Sequence, residues 1–409
     1  MVSRELRHAL RGLAAPAAVL DRDAFDANLD TLRLRARGLP IRVATKSLRT
    51  PAAIERALSQ PGYSGVLTYS LPEALNLHAR GIRDILLGYP SVDRASIRAL
   101  LAEAGATANI TLMIDCTAHL DIIDEVRTEL AAAEAPDREA DSGAGASVRI
   151  CIDVDSSYRL GEGLLGDRVH IGARRSPIRD AEAAALLAEQ VHARPGAELV
   201  GLMFYEGQIA GTADAGRSPR QTAIRAMQRR SIAELAKRRT AVVAAVRDLG
   251  ELEFVNGGGT GSFESSAAEG TLSELAAGSG LFSPGLFDGY TRFRHEPAAY
   301  FVTPVVRRPG PGWVTVFKGG FIASGVPGVD RLPTIAWPPG LAYSGLEGPG
   351  EVQTPLHGAG AEDLRIGDLV WFRHAKAGEL AEHFNDLIVV SGSRIVETWS
   401  TYRGEGLVL

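Results

Sequence analysis

Arg42-Val43-Ala44-Thr45-Lys46-Ser47-Leu48-Arg49-Thr50-Pro51 reads as a short strand running into a helix start. Val43 and Thr45 are β-branched, and Thr50-Pro51 is an N-cap followed by proline at the first helical position. The pattern recurs along the chain. From about residue 40 to 285, short apolar runs alternate with amphipathic stretches. Strand candidates are Arg42–Ser47, Gly65–Ser70, Asp84–Tyr89, Thr111–Cys116, Val148–Asp155, Leu199–Tyr205 and Leu252–Asn256, with an eighth expected near Gly278–Phe282. The runs are nearly continuously apolar, as parallel strands buried on both faces are. Seven or eight βα units in roughly 250 residues predict a (β/α)8 barrel of the TIM type. An open doubly wound sheet is the competing α/β architecture.

Punctuation between the runs agrees with helices. Ser70-Leu71-Pro72-Glu73 is a capping box, and Gly81 suits the left-handed residue that closes such a helix. Ala131–Ala146, rich in Ala, Gly and acidic residues, reads as a helix end and a loop. Ala213–Arg239 is polar and basic and reads as a solvated helix and loop. After about residue 285, Pro and Gly become frequent and short β-type runs appear at Tyr300–Val306, Trp313–Phe317, Leu369–Phe372, Leu387–Val390 and Ile395–Trp399. Two domains are therefore expected: a barrel over residues 20–285 and a mostly antiparallel β domain over 286–409, which residues 1–19 join.

Composition narrows the class of partner. Of 409 residues, 45% are hydrophobic and 23% charged, and the net charge of −5 gives no basic footprint for nucleic acid or an anionic membrane. Met1 to Arg11 is charged and lacks the apolar core of a signal peptide, and no apolar run approaches the roughly 20 residues of a membrane span. A cytoplasmic location is expected. Cys116 and Cys151 lie in apolar runs and read as small hydrophobes rather than a disulfide framework.

In a barrel, residues just beyond the C-terminal strand ends line the active site. Lys46 stands at the first such end, and partial burial lowers an amine's pKa toward the range where it attacks an aldehyde to form a Schiff base. Asp155, Ser157 and Arg159 follow the fifth strand, and Tyr205, Glu206 and Gln208 the sixth. Asn256-Gly257-Gly258-Gly259-Thr260-Gly261-Ser262 follows the seventh. A glycine-rich turn exposes successive backbone N–H groups that can cradle a phosphate, and a plain flexible connection is the alternative. A lysine amine with a phosphate cradle fits an aldehyde cofactor bearing a phosphate, pyridoxal 5'-phosphate (PLP).

These residues also carry a resemblance. Pro16-Ala17-Ala18-Val19-Leu20-Asp21, Asn28, the Lys46 motif, Asp155-Ser156-Ser157-Tyr158-Arg159-Leu160-Gly161, Tyr205-Glu206-Gly207, Gly257–Gly261 and Thr401-Tyr402-Arg403-Gly404-Glu405-Gly406 occur in the order of the fold-type III PLP enzymes. The chain resembles the D-serine dehydratase/D-threonine aldolase-like branch of the alanine racemase superfamily. Glu347–Pro355 and Arg373–Leu380 are similar to a subgroup called amino acid deaminase/aldolase. The resemblance implies that Lys46 holds the cofactor and shuttles the Cα proton, and that Arg159 faces the phenolic oxygen. It implies that Gly258, Gly259 and Thr260 bind the phosphate, and that Tyr205 sits beside the pyridine ring. It also implies a homodimer with the site at the interface.

The β domain departs from that pattern. Relatives carry a metal-binding His-x-Cys or His-x-Asp pair that contacts the substrate hydroxyl. In the ungapped register the pair falls on Lys376-x-Gly378; a one-gap alternative is His383-x-Asn385, and asparagine is a weak partner for a transition metal. No metal is expected at that position. A Lys376 ammonium there would orient a carboxylate or hydroxyl by charge, with an ion pair to Glu379 or Glu382 as the alternative, and His374 and Glu379 are adjacent acid/base candidates. The leading expectation is a PLP-dependent lyase for a small D- or β-hydroxy amino acid, working by retro-aldol cleavage or by dehydration and deamination. Racemisation, with Tyr290, Tyr300, Tyr343 or Tyr402 as a second base, is an alternative. So are a non-catalytic PLP-binding protein and a barrel hydrolase without PLP.

Overall fold

The structure, a computed structural model, describes residues 2–134, 147–159 and 170–409. Residues 135–146 of the expected loop, and Leu160 and Gly161 of the Arg159 motif, lie outside them. In chain order the strands are β1 (Ala17–Asp21), β2 (Ile41–Ala44), β3 (Tyr63–Thr68), β4 (Ile85–Leu87), β5 (Ile110–Ile114), β6 (Val148–Val154), β7 (Tyr158–Arg159), β8 (His170–Ile171), β9 (Ala197–Phe204), β10 (Phe254–Gly257) and β11 (Glu274–Ala277). There follow β12 (Ala299–Gly310), β13 (Trp313–Phe317), β14 (Thr334–Trp337), β15 (Ala342–Tyr343), β16 (Gln353–His357), β17 (Leu369–Arg373), β18 (Asp386–Ser391) and β19 (Arg394–Ser400). Among the described residues no helix is long and apolar enough to cross a membrane.

β2, β3, β4, β5, β6, β9, β10 and β11 close into an eight-stranded barrel. All its pairings are parallel, and the ring shuts where β11 pairs β2, Leu275 opposite Ile41 and Ala277 opposite Val43. The expected (β/α)8 barrel is therefore present, with one correction. The eighth strand is Glu274–Ala277, not Gly278–Phe282, where Ser279–Phe282 forms a short helix. Glu274-Leu275-Ala276-Ala277 has helix-favouring composition, and its pairing with β10 and β2 overrides that preference.

A buried ion pair spans the closing seam. Arg42, 2% exposed, forks onto Glu274, 7% exposed, with Nε–Oε1 at 2.7 Å and Nη2–Oε2 at 2.8 Å. Asn256 of β10 donates to the same carboxylate at 2.8 Å, and Asp84, before β4, accepts from Nη1 of Arg42 at 2.8 Å. Gly65 passes this cluster at φ +67°, and a Cβ there would lie 2.5–2.6 Å from Asp84 and Arg42. Leu86, Met113, Cys151, Val200, Met203 and Phe254 form an apolar cluster in the same unit.

The second compact unit comprises the residues up to Leu32, Ser47–Ala57 and Gly278–Val408. Its main sheet has the order β15-β16-β13-β12-β1-β18-β19, with β17 pairing β12 and β14. Every pairing is antiparallel except that of β1 with β18. Val2, Leu6 and Leu10 pack with Val19, Tyr300, Val302, Trp371 and Val390. This unit begins at Gly278 rather than after 285, because Phe282 packs on Phe25 with ring centroids 6.1 Å apart and Asn28 donates to the Leu281 and Glu296 carbonyls at 3.0 and 2.7 Å.

Removing one member of a buried pair leaves the other charge uncompensated, at a cost of about 3–5 kcal/mol, whereas an exposed partner is worth ~1 kcal/mol or less. Glu274→Ala is therefore expected to lower unfolding stability by about 3–5 kcal/mol, and Asp84→Asn, whose side chain is 54% exposed, by less than about 1 kcal/mol. Urea denaturation of the two variants checks this; equal midpoints contradict the assignment of Arg42–Glu274 as the closing pair.

Candidate active site

The barrel's C-terminal strand ends gather the chemistry. Lys46 lies two residues beyond β2, in the 3-10 turn Thr45–Ser47, with its side chain exposed. Thr45 anchors that turn by donating from Oγ1 to the Leu67 carbonyl at 3.1 Å. Nζ of Lys46 donates to the Tyr89 hydroxyl, two residues beyond β4, at 2.9 Å. The Arg175 guanidinium lies 5.2 Å from the Tyr89 ring centroid and 5.1 Å from that of Tyr205. A Cβ on Gly259 would sit 3.6 Å from the Tyr205 ring and 2.9 Å from the Ala210 methyl, so only glycine admits this approach. Contacts therefore run unbroken from Lys46 through Tyr89, Arg175 and Tyr205 to the glycine loop. Tyr89 and Arg175 were missed by sequence reasoning: Tyr89 ends the expected strand Asp84–Tyr89 with no motif to mark it, and Arg175 is one of an Arg-Arg pair.

The glycine loop rests on a buried carboxylate. Glu206 accepts hydroxyl hydrogen bonds from Ser262 (2.8 Å) and Ser266 (2.6 Å) and the Gly258 N–H (3.3 Å). Arg239, fully buried, pairs with Glu206 at 3.3 Å and Glu269 at 2.6 Å. Arg239 belongs to the helix Pro219–Arg247, so the segment expected to be solvated carries a buried ionic anchor. Gly259 N–H donates to the Ser262 hydroxyl at 3.1 Å. Gln208 is likewise a buried brace, donating to the Ser156 carbonyl and the Ser231 hydroxyl. Glu206 and Gln208 thus lie beneath the mouth rather than lining it.

Arg159 is on β7, and its Nη2 donates to Asp155 at 2.9 Å. Burial pushes the Asp155 carboxyl up, but the N–H and hydroxyl of Ser157 with Arg179 and Arg159 hold it below its ordinary range. Asp153, two residues earlier, is pushed the other way. Burial, with Asp115 and Asp155 nearby, raises it to about 7 against the opposing charge of Arg175. Asp115, Cys116 and His119 form a half-buried cluster after β5, with the thiol 3.5 Å from Nδ1 of His119. Cys116 is thus polar-bonded rather than a buried hydrophobe.

A phosphate-bearing aldehyde cofactor can be tested against this donor set. The lysine amine, the Arg159 and Arg175 cations, the Thr260 hydroxyl and a loop that only glycines can form fit it. The Gly258 and Gly259 N–H groups have internal acceptors, so a phosphate would take them over from Glu206 and Ser262.

The other expected residues belong to the second unit. Nζ of Lys376 donates to the Ser324 hydroxyl at 3.0 Å and carbonyl at 3.2 Å, with Glu379 at 4.0 Å. His374 is buried and packs edge-on against Phe282 at 6.3 Å, and burial, reinforced by Arg373, lowers its pKa to about 3. The acid/base candidate expected there is thus enclosed and held neutral. His383 stacks on Phe321 at 4.1 Å. The hydroxyls of Tyr300 and Tyr343 donate to the Pro297 and Pro333 carbonyls. Tyr290 and Tyr402 are buried.

The sequence profile of the family described as "Alanine racemase, N-terminal domain" matches residues 20–249. A protein named D-threonine aldolase, from Arthrobacter sp, is 27% identical over 357 residues, 85% of this chain and 82% of that protein. Among solved structures, D-threonine aldolase from Filomicrobium marinum aligns with a TM-score of 0.74 at 22% identity, covering 96% of each chain. D-threo-3-hydroxyaspartate dehydratase from Delftia sp. HT23 aligns with a TM-score of 0.67 at 22% identity, over 96% of this chain and 98% of that one. The two structural likenesses establish the fold.

Asp153 gives the mouth a pH signature. A carboxyl protonated in the fold keeps a proton that the unfolded chain, at its ordinary 3.8, has already lost, so its contribution to stability falls as pH rises from about 4 to about 7. Asp153→Asn is expected to gain on wild type across that window by on the order of 4 kcal/mol. Denaturation midpoints of both proteins at several pH values test this, and a constant difference contradicts it.

Proposed function

The chain belongs to the alanine racemase N-terminal domain family, and from that premise we propose that it is a PLP-dependent lyase for a small, D-configured or β-hydroxy amino acid. The observation that carries the reading is the exposed Lys46 amine at the barrel mouth, linked by packed aromatic and cationic side chains to a glycine loop. The Arthrobacter protein, whose name states an aldolase acting on D-threonine, supports it. The bound cofactor supplies an electron sink that acidifies the bonds at the substrate's Cα.

The chain's own residues take the following parts. Lys46 binds the cofactor through Nζ and moves the Cα proton. Arg159, aimed by its bond to Asp155, provides a fixed cation for the phenolic oxygen. Thr260 and the N–H groups of Gly258 and Gly259 would hold the phosphate, and Tyr205 would neighbour the ring. Lys376, steadied by Ser324, orients the substrate carboxylate or hydroxyl by charge.

Retro-aldol cleavage is favoured over dehydration. In the ungapped register Lys376-x-Gly378 replaces the metal pair, and without a Lewis acid hydroxide is the harder group to expel. We further propose that the protein works as a cytoplasmic homodimer, which size-exclusion chromatography with light scattering tests for assembly.

Incubation of the purified chain with PLP is expected to give a visible absorption band. Borohydride should bleach it and fix the adduct on Lys46 in peptide mapping. Lys46→Ala should show neither adduct nor turnover. A band that persists in that variant, or none in the wild type, removes the reading. A D-amino acid panel, with and without chelator, then separates aldehyde plus glycine from keto acid plus ammonia and from the enantiomer. Lys376→Ala is expected to lower turnover by about 10²-fold, the scale of losing one charge-orienting donor, and wild-type turnover removes its role.

A further inference from the structure

Tyr89 has no part in the roles above, yet its hydroxyl lies 2.9 Å from Nζ of Lys46. Two cations flank it. The Lys46 amine is 5.5 Å from its ring centroid and the Arg175 guanidinium 5.2 Å. Tyr205, at the end of β9, faces the same guanidinium. Asp153 of β6 is the carboxyl next to Arg175, with Asp115 and Asp155 beyond it. Burial alone would raise the phenol's pKa, but Lys46 and Arg175 outweigh it and hold Tyr89 below the ordinary value of 10. Tyr205 shares Arg175 without the lysine contact, and burial moves its pKa upward. Tyr89 has Lys46 and Arg175 as hydrogen-bond partners, whereas Tyr205 is more deeply buried and has Glu206 beside it.

A lysine amine attacks a carbonyl only after losing a proton, and it needs an acceptor of similar basicity within hydrogen-bond reach. Phenols and alkyl amines are matched in this respect, with ordinary values of about 10 and about 10.4. Asp153 is the nearby carboxyl, but it faces Arg175 and is itself held protonated to about 7.

We propose that Tyr89 is the proton acceptor for Lys46. The phenolate takes one proton from the ammonium, giving a phenol and a free amine, and returns it when the amine is released. One N–H bond breaks and one O–H bond forms, with no change of oxidation state. Arg175, stacked on the ring, is the positioning residue that favours the phenolate. The inference rests on the reading of Lys46 as nucleophile and adds a residue to its site.

The test uses the full-length chain without added PLP. Lysines are modified with trinitrobenzenesulfonate across a pH series, and Lys46 is followed by peptide mass spectrometry with Lys237 and Lys318 as internal references. Tyr89→Phe is expected to slow modification of Lys46 about tenfold near neutral pH, with the difference vanishing at alkaline pH and the references unchanged. A structural role alone would change the rate equally at all pH values. In ultraviolet difference titration, wild type should show an early phenolate that Tyr89→Phe lacks. Arg175→Gln, at an exposed position, should slow Lys46 in the same direction, and it keeps the test decisive if Tyr89→Phe does not fold. An unchanged Lys46 profile in either folded variant overturns the proposal. That result would leave the lyase reading standing if PLP still traps on Lys46, whereas failure of PLP to bind would leave the labelling result intact.

Discussion

The bidentate Arg42–Glu274 contact is the interaction on which the rest of the barrel depends. It joins the first and last strands of the ring, where no connecting helix holds the pairing in place. Two charges taken out of water are costly unless their geometry is good and their remaining valences are filled. Here Asn256 and Asp84 fill them. The register that satisfies these polar atoms from β2, β10 and β11 is therefore strongly preferred, and a one-residue slip would send Arg42 to the opposite face. Lys46 lies four residues beyond Arg42, and the glycine loop begins immediately after Asn256. The pair that closes the ring thus also fixes both ends of the candidate site.

A second ionic anchor works one layer nearer the mouth. Glu206 and Arg239 are buried, Glu269 is partly so, and two serine hydroxyls and one backbone N–H converge on Glu206. A glycine-rich loop has much backbone entropy to lose, and tying it to a rigid carboxylate holds it in one conformation. The carboxylate also occupies donors that a phosphate would use. Ligand capture at this loop then means exchanging one anion for another on the same N–H groups, with Arg239 left to neutralise Glu206.

Much of this was legible in the sequence where residue type and spacing coincide with backbone need. Lys46 before a Thr-Pro helix start and a glycine run after an apolar strand are local signals, as is Ser70, whose hydroxyl caps the Glu73 N–H at 3.2 Å. What escaped is nonlocal. Glu274–Ala277 is a strand because two neighbours pair with it. Arg239 sits in a Lys-Arg-Arg run that looks solvated and becomes buried because Glu206 and Glu269 arrive from distant segments. His374 lies beside a charged arginine in sequence and inside an apolar core in space.

At the mouth itself, neighbouring groups of one chemical type are driven apart. Asp153 and Asp155 are two residues apart on one segment, yet burial raises the first while hydrogen bonds and arginines lower the second. Tyr89 and Tyr205 share one guanidinium, yet only the phenol touching Lys46 is lowered. Splitting like groups in this way equips the barrel mouth with both proton donors and acceptors at a single pH. It requires rigid placement, because a shift of an ångström would equalise the environments. All four residues lie within two residues of a barrel strand end. The same strand register that buries Arg42 and Glu274 therefore sets the acid–base asymmetry around Lys46.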